Sequence, residues 1–384
     1  MQRQAVDVLL VGGGVAAARC ARTLRRQGFG GSILLIGDEL IPPYNRPPLS
    51  KEFLRDDLPA ELALAEPMSW YERRGVELAL GTPAVSLNVD DRTVELADGA
   101  VIRYGQLLLA TGAEPRRPTV PGAEHALLLR TLPDAEALRS AAVSGARAVV
   151  IGGGFIGVEV ASSLAARGLA VTIVEVADAL WAGALGSGLS EWADAQLAAA
   201  GIGVRLAAAC ESVAADGVRL AGESLPADLV IAGVGVIPRV DLAVAAGLEV
   251  DNGVLVDEAQ LTSAAGIFAA GDMARPRDGA RIEHWHAARE TGERAALRML
   301  GQPVPARRAP WVFSEVAGVV LDVVGLAPTW DEIVVRGDVH VYLAGGRVAQ
   351  LAVIGGVVPI EEARTFIERG GALAELDALL APRA

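Results

Sequence analysis

Lysine is all but missing from this chain: of 34 basic side chains in 384 residues, Lys51 is the only lysine. Cysteine is nearly as scarce. Cys20 and Cys210 lie far apart and no CxxC or similarly close pair exists, which excludes a dithiol relay on one element. There are four histidines, His125, His284, His286 and His340. His284 and His286 flank Trp285, but no carboxylate–histidine–cysteine cluster accompanies them, which argues against a metal centre. No apolar run approaches the roughly 18 residues that span a membrane. Positive charge is also lacking overall. A formal net charge of −13 argues against a general nucleic-acid surface, so neither a membrane nor a nucleic acid is expected as partner.

What is present is apolar and glycine-rich: 52% hydrophobic residues and 44 glycines, in a length that suits two or three domains. The first apolar run, Val8-Leu9-Leu10-Val11, meets Gly12-Gly13-Gly14 and then an alanine-rich stretch over 15–27 with helical propensity. Together with Cys20 it loosely imitates a lipid-attached leader. Asp7 precedes the run and the glycines interrupt it, so it reads as a nucleotide-binding strand and turn, and the protein as cytoplasmic. The same text recurs at Val149-Val150-Ile151-Gly152-Gly153-Gly154-Phe155-Ile156-Gly157, followed by a helix over 155–167. Strand, glycine turn and helix start bring backbone N–H groups and a helix dipole to a pyrophosphate. Each turn is followed at about 20–25 residues by a strand ending in an acid, Asp38-Glu39 in the first case and Glu175 in the second. Two such units in one chain point to two dinucleotides and hence to redox chemistry.

Between them, Pro42-Pro43-Tyr44-Asn45-Arg46-Pro47-Pro48-Leu49-Ser50-Lys51 forbids a long helix and sets an extended path, after which Ser50 is positioned to cap a short helix over 51–54. Residues 76–105 break often and suit small antiparallel strands. Residues 107–112, 228–235 and 267–272 suit buried strands ending in glycine. The recurrence of these endings implies that the first nucleotide domain is interrupted by the second and resumes near residue 237. Residues 311–355 suit antiparallel strands, and 359–380 one or two helices.

In order along 5–310, these motifs resemble the FAD-dependent, NADH-dependent ferredoxin reductases that feed dioxygenases, other Rieske oxygenases and bacterial cytochromes P450. The matching segments are 43–51, Leu109-Ala110-Thr111-Gly112, Gly152 to Glu159, Gly233 to Pro238, Ala270-Gly271-Asp272 and Glu283-His284-Trp285. The resemblance implies an α/β fold of two Rossmann-like dinucleotide-binding domains, one inserted in the other, plus a small C-terminal α+β domain. The implied boundaries are 1–112 with 237–309 for FAD, 113–236 for NAD and 310–384 for the last domain. It further implies that Gly12, Gly14 and Ala16 lie on the FAD pyrophosphate and that Asp38 takes its adenosine ribose. Ala84, Ala110 and Thr111 would touch FAD, Arg46 and Lys51 would line the flavin, and Arg130 would reach the FAD. Asp272 would bond the ribityl–phosphate region, and Trp285 would lie beside the isoalloxazine. Gly154, Ile156 and Gly157 would cradle NAD, Glu175 its adenosine ribose, and Gly235 the nicotinamide half. Lys51, steadying a reduced flavin, and its partner Glu159 are the implied catalytic pair.

The implied partner is a [2Fe-2S] ferredoxin and through it an oxygenase or cytochrome P450, with the reductase a monomer or weak homodimer. Arg307-Arg308 and Arg73-Arg74 are candidate docking arginines. The chain departs from the family pattern at Ala179-Leu180-Trp181-Ala182-Gly183, where an arginine is usual; the departure implies either a weaker hold on NAD or one shifted in part to Trp181. It departs again at Trp311-Val312-Phe313-Ser314-Glu315-Val316, where a Trp-Ser-Asp-Gln segment is usual. Two other classes stay open: an NADH oxidase or peroxidase, which usually keeps a redox cysteine by the flavin, and a flavin-binding interaction protein of the apoptosis-inducing-factor kind.

Overall fold

The computed structural model describes residues 5–55, 58, 59, 63–186 and 188–380. The chain folds into two compact units. One comprises Met1–Asn45, Glu61–Glu114 and Ile237–Arg307, the other Arg46–Ala60, Pro115–Val236 and Arg308–Ala384.

The first unit is built on a seven-stranded sheet. Ala5–Val11 is central, parallel to Ile33–Ile36 on one side and to Val101–Leu109 on the other. These strands are continuous apolar runs because both faces are covered. Val8, Leu10, Leu35, Leu108 and Phe268 pack towards helix Val15–Arg26, where Ala17, Cys20 and Leu24 meet them. Leu9, Val11, Leu34, Leu107 and Leu109 pack on the opposite face. Each fully buried leucine or valine contributes about 1.5–3 kcal/mol. Helix Trp285–Met299 lies close against the first helix, and a Cβ added to Gly292 would sit 2.2 Å from the Ala16 carbonyl oxygen.

Two expectations change here. Val76–Ala79 is not antiparallel but runs parallel to Ile33–Ile36. Its partner residues lie 43 positions away, beyond any local alternation signal. Residues 101–109 also form one strand, antiparallel to Thr93–Leu96 at its start and parallel to Ile267–Ala269 at its end.

The second unit contains a four-stranded parallel sheet, in the order Gly203–Arg205, Ala170–Val174, Arg147–Ile151, Leu229–Ala232, with helix Phe155–Ala166 against it. A three-stranded antiparallel sheet covers the other face through Val213, Val218 and Leu220. The C-terminal part is a five-stranded antiparallel sheet from Trp311 to Ile354. Helices Ile360–Glu368 and Leu373–Leu380 follow it, with Phe366 and Leu376 packing on Val341, Leu351 and Val353. Among the described residues no helix is long and apolar enough to cross a membrane, and no three His, Cys, Asp or Glu side chains gather as metal ligands. His284 is the N-cap of helix Trp285–Met299, its Nδ1 accepting from the His286 N–H at 3.3 Å.

Candidate functional site

The two glycine turns share a geometry. Gly12 has φ +126°, and an added Cβ would lie 2.1 Å from the Ala110 carbonyl oxygen. Gly152 has φ +108°, and its Cβ would lie 2.4 Å from the Gly233 oxygen. Both first glycines are required by the neighbouring strand. In the later turn Gly157 serves packing: a Cβ on Gly154 meets nothing within 4 Å, whereas one on Gly157 would lie 2.0 Å from the Gly152 oxygen. At Gly14, too, a Cβ would meet nothing within 4 Å. Gly14 and Gly154 are the N-caps of their helices, with no side-chain cap and no acid in the first turn. Two positive helix ends are thus left without a capping side chain or a nearby first-turn acid, an arrangement that favours an anion.

Around the first turn, the Ala16 methyl is buried, its Cβ 3.3 Å from where a Gly271 Cβ would sit, so only its backbone faces the helix end. Asp38, half exposed, accepts from Arg239 Nη1 at 2.7 Å. Ala110 is buried. Thr111 donates from Oγ1 to the Arg239 carbonyl at 2.7 Å and lies 3.0 Å from Met273 Sδ. Asp272 sits in the 3-10 turn Gly271–Met273, where its carbonyl accepts from Arg281 at 2.9 Å. Trp285 donates from Nε1 to Asn45 Oδ1 at 2.7 Å, with Arg289 4.4 Å over its ring. Ala84 opens an edge strand opposite Leu96.

The second unit holds the remaining candidates. Glu175 is fixed by both oxygens, Oε2 accepting from the Gly153 N–H at 2.5 Å and Oε1 from the Ala177 N–H at 2.8 Å. Ile156 is exposed in the first turn of its helix, and Gly235 takes φ +94°. Arg46 and Arg130 meet, Arg46 Nη1 donating to the Arg130 carbonyl at 2.5 Å. Lys51 and Glu159 are both buried and paired at 2.7 Å. Ser50 does not cap the following helix. Its hydroxyl donates to Glu159 instead, and the helix begins at Glu52. Phe313 lies near the same ammonium, its ring centroid 5.9 Å from Lys51 Nζ.

Trp181 does not present its indole for a nucleotide. It is 5% exposed and stacks on Phe155 at 5.7 Å, and its backbone N–H donates to the Gly153 carbonyl at 3.2 Å. It braces the turn from behind because a large apolar ring gains more from the core than from water. Neither cysteine is poised for chemistry. Burial pushes the Cys20 thiol well above its ordinary range and raises Cys210 as well.

A cluster absent from the sequence reading lies on the first unit. Arg19, Arg22 and Arg26 project from one face of helix Val15–Arg26, near Arg289. Arg19 and Arg26 share Glu293, and Arg22 pairs with Glu66. Burial, then the charges of Arg19 and Arg22, lower the Arg289 pKa. Burial works against the Glu293 carboxylate, yet Arg19 and Arg26 hold it below its usual range. Four guanidinium groups thus face two carboxylates. The 19, 22, 26 spacing of one helical face was the available signal. Arg307 and Arg308, by contrast, are engaged with Asp278 and with Glu361 and Glu368, respectively. Arg73 and Arg74 end helix Met68–Arg74 on the surface.

The profile of the family described as pyridine nucleotide-disulphide oxidoreductase matches residues 6–292. Rhodocoxin reductase of Rhodococcus erythropolis is 38% identical over 347 residues, covering 87% of this chain and 81% of that protein. The ferredoxin–NAD(+) reductase component of the biphenyl dioxygenase system of Paraburkholderia xenovorans is 37% identical over 371 residues, covering 94% and 89%. The crystal structure of the covalent putidaredoxin reductase–putidaredoxin complex superposes with a TM-score of 0.93 at 32% identity, covering 98% of this chain and 99% of that one.

Proposed function

The chain belongs to the pyridine nucleotide-disulphide oxidoreductase family, and on that premise we propose that it is an FAD-dependent, NADH-dependent ferredoxin reductase. Its acceptor is a [2Fe-2S] ferredoxin serving an oxygenase or a cytochrome P450, and it works in the cytoplasm. The observation that carries the reading is the pair of open glycine turns, together with a solitary buried lysine and no thiol relay. FAD, when bound, supplies two-electron acceptance from a nicotinamide and one-electron release to a carrier.

The chain's own residues do the rest. Amides at the start of helix Val15–Arg26 hold the pyrophosphate of FAD, and those at the start of helix Phe155–Ala166 hold that of NADH. Asp38, steadied by Arg239, accepts from the adenosine ribose of FAD. Trp285 is oriented by Asn45 to present its ring to the flavin. Lys51 supplies a compact positive charge that favours the reduced flavin, and Glu159 pairs with its ammonium at 2.7 Å in its buried place.

Glu175 sets the choice of nucleotide. Two backbone N–H groups lock its carboxylate at the strand end. A fixed carboxylate accepts from a free 2′-hydroxyl and repels a 2′-phosphate. NADH is expected to exceed NADPH in kcat/KM by at least about tenfold, a difference of roughly 1.4 kcal/mol. Steady-state kinetics with each nucleotide checks this, and equal kcat/KM values contradict it.

The arginine face suits an acidic carrier. Arg289 stacks on Trp285 and leads into the Arg19–Arg22–Arg26 cluster. In a chain of net charge −13, this local excess of positive charge supports association with an acidic partner. The rate with ferredoxin is therefore expected to fall steeply between about 0.05 and 0.5 M salt. Turnover that ignores salt would exclude docking by charge.

A further inference from the structure

Glu159 holds more than its lysine. Oε2 accepts from Lys51 Nζ at 2.7 Å and from Ser50 Oγ at 2.5 Å, while Oε1 accepts from Ser314 Oγ at 2.8 Å. All four side chains are buried. The first two donors lie in the proline-rich turn. The third lies in the first strand of the C-terminal sheet, 155 residues beyond Glu159.

That strand is pinned to its surroundings twice more. The Ala317 N–H donates to Ser162 Oγ at 3.0 Å, and Glu315 pairs with Arg55 at 2.6 Å. The helix carrying Glu159 is tied to the proline-rich turn as well, Ser163 Oγ donating to the Ser50 carbonyl at 2.7 Å. Ser314 is therefore delivered to Oε1 by a braced strand.

Among the described residues, Ser314 is the one donor to Oε1. A buried carboxylate with one oxygen unsatisfied turns about its χ3 bond to recover a partner, and that rotation withdraws Oε2 from the ammonium. We propose that Ser314 is a positioning residue: by bonding Oε1 it fixes the Glu159 carboxylate plane and so the place of Lys51. Its consequence for the reaction rests on the proposed role of Lys51 towards reduced flavin; the positioning itself does not.

The lone lysine makes a direct test available. Lysine-selective 15N labelling of the whole protein gives a single side-chain ammonium signal. Wild type is expected to show protected, slowly exchanging ammonium protons. Ser314→Thr keeps a hydroxyl and retains that signal. Ser314→Val matches threonine in shape without the hydroxyl, and there proton exchange is expected to be at least about tenfold faster, as in Ser314→Ala. Anaerobic flavin reduction at saturating NADH falls about tenfold in the Val and Ala variants, is restored in the Thr variant, and leaves KM for NADH within about twofold. The Thr and Val pair decides the matter even where the Ala variant folds poorly. An equally protected signal in Ser314→Val, or no protected signal in wild type, overturns the proposal. Should the signal respond as expected while Lys51→Met reduces its flavin at the wild-type rate, positioning by Ser314 stands and the role assigned to Lys51 fails.

Discussion

Glu159→Ala is expected to lower the free energy of unfolding by about 3–5 kcal/mol, because it leaves a buried ammonium without its counter-charge. Lys51 is 6% exposed and its carboxylate partner 4%, so water cannot replace the lost acceptor without opening the packing. The loss is compounded by Ser50 and Ser314, whose hydroxyls donate to the same group. Glu159→Gln keeps the volume and one acceptor oxygen but removes the charge, and its loss is expected to be smaller. Chemical denaturation followed by circular dichroism measures both. An Ala variant within about 1 kcal/mol of wild type would mean that the pair is solvated, contrary to the geometry.

The second large effect separates two neighbouring glycines. Gly12→Ala places a methyl 2.1 Å from the Ala110 carbonyl on a backbone with φ +126°. Left-handed strain of about 1–2 kcal/mol adds to an overpacking cost of about 1–3 kcal/mol, and both fall on the central strand of the first sheet. That variant is expected to lose stability and flavin together. Gly14→Ala lies on extended backbone, at φ −97° and ψ 178°, and its methyl meets no protein atom within 4 Å. It is expected to fold within about 1 kcal/mol of wild type yet retain FAD at least tenfold more weakly, since the methyl occupies the pyrophosphate's approach. Apoprotein melting and FAD titration by fluorescence quenching check the contrast. A Gly14→Ala protein that binds FAD as well as wild type would remove the pyrophosphate from that turn.

These contrasts show which parts of the molecule are legible locally. The glycine turns are, because strand, turn and helix are contiguous and the residue types are nearly obligatory. Lys51 stands out by composition alone. Glu159 does not: nothing within its helix marks a buried glutamate, and only resemblance to a family singled it out. Ser314 is less legible still, because a serine within a strand has no local signature and its partner is 155 residues distant. Ser50 shows the converse error. Its position suits a helix cap, but a buried carboxylate is the stronger acceptor and takes the hydroxyl. Trp181 departs from expectation for a related reason: its place beyond Glu175 suits nucleotide contact, but Phe155 offers it an apolar stacking partner.

The most direct test of the whole account is anaerobic mixing of the purified yellow protein with NADH, followed by addition of a [2Fe-2S] ferredoxin and cytochrome c. Rapid bleaching of the flavin band and cytochrome c reduction that depends on the ferredoxin are the results expected. A colourless protein that takes up no FAD, or a flavin that NADH leaves oxidised, would contradict it.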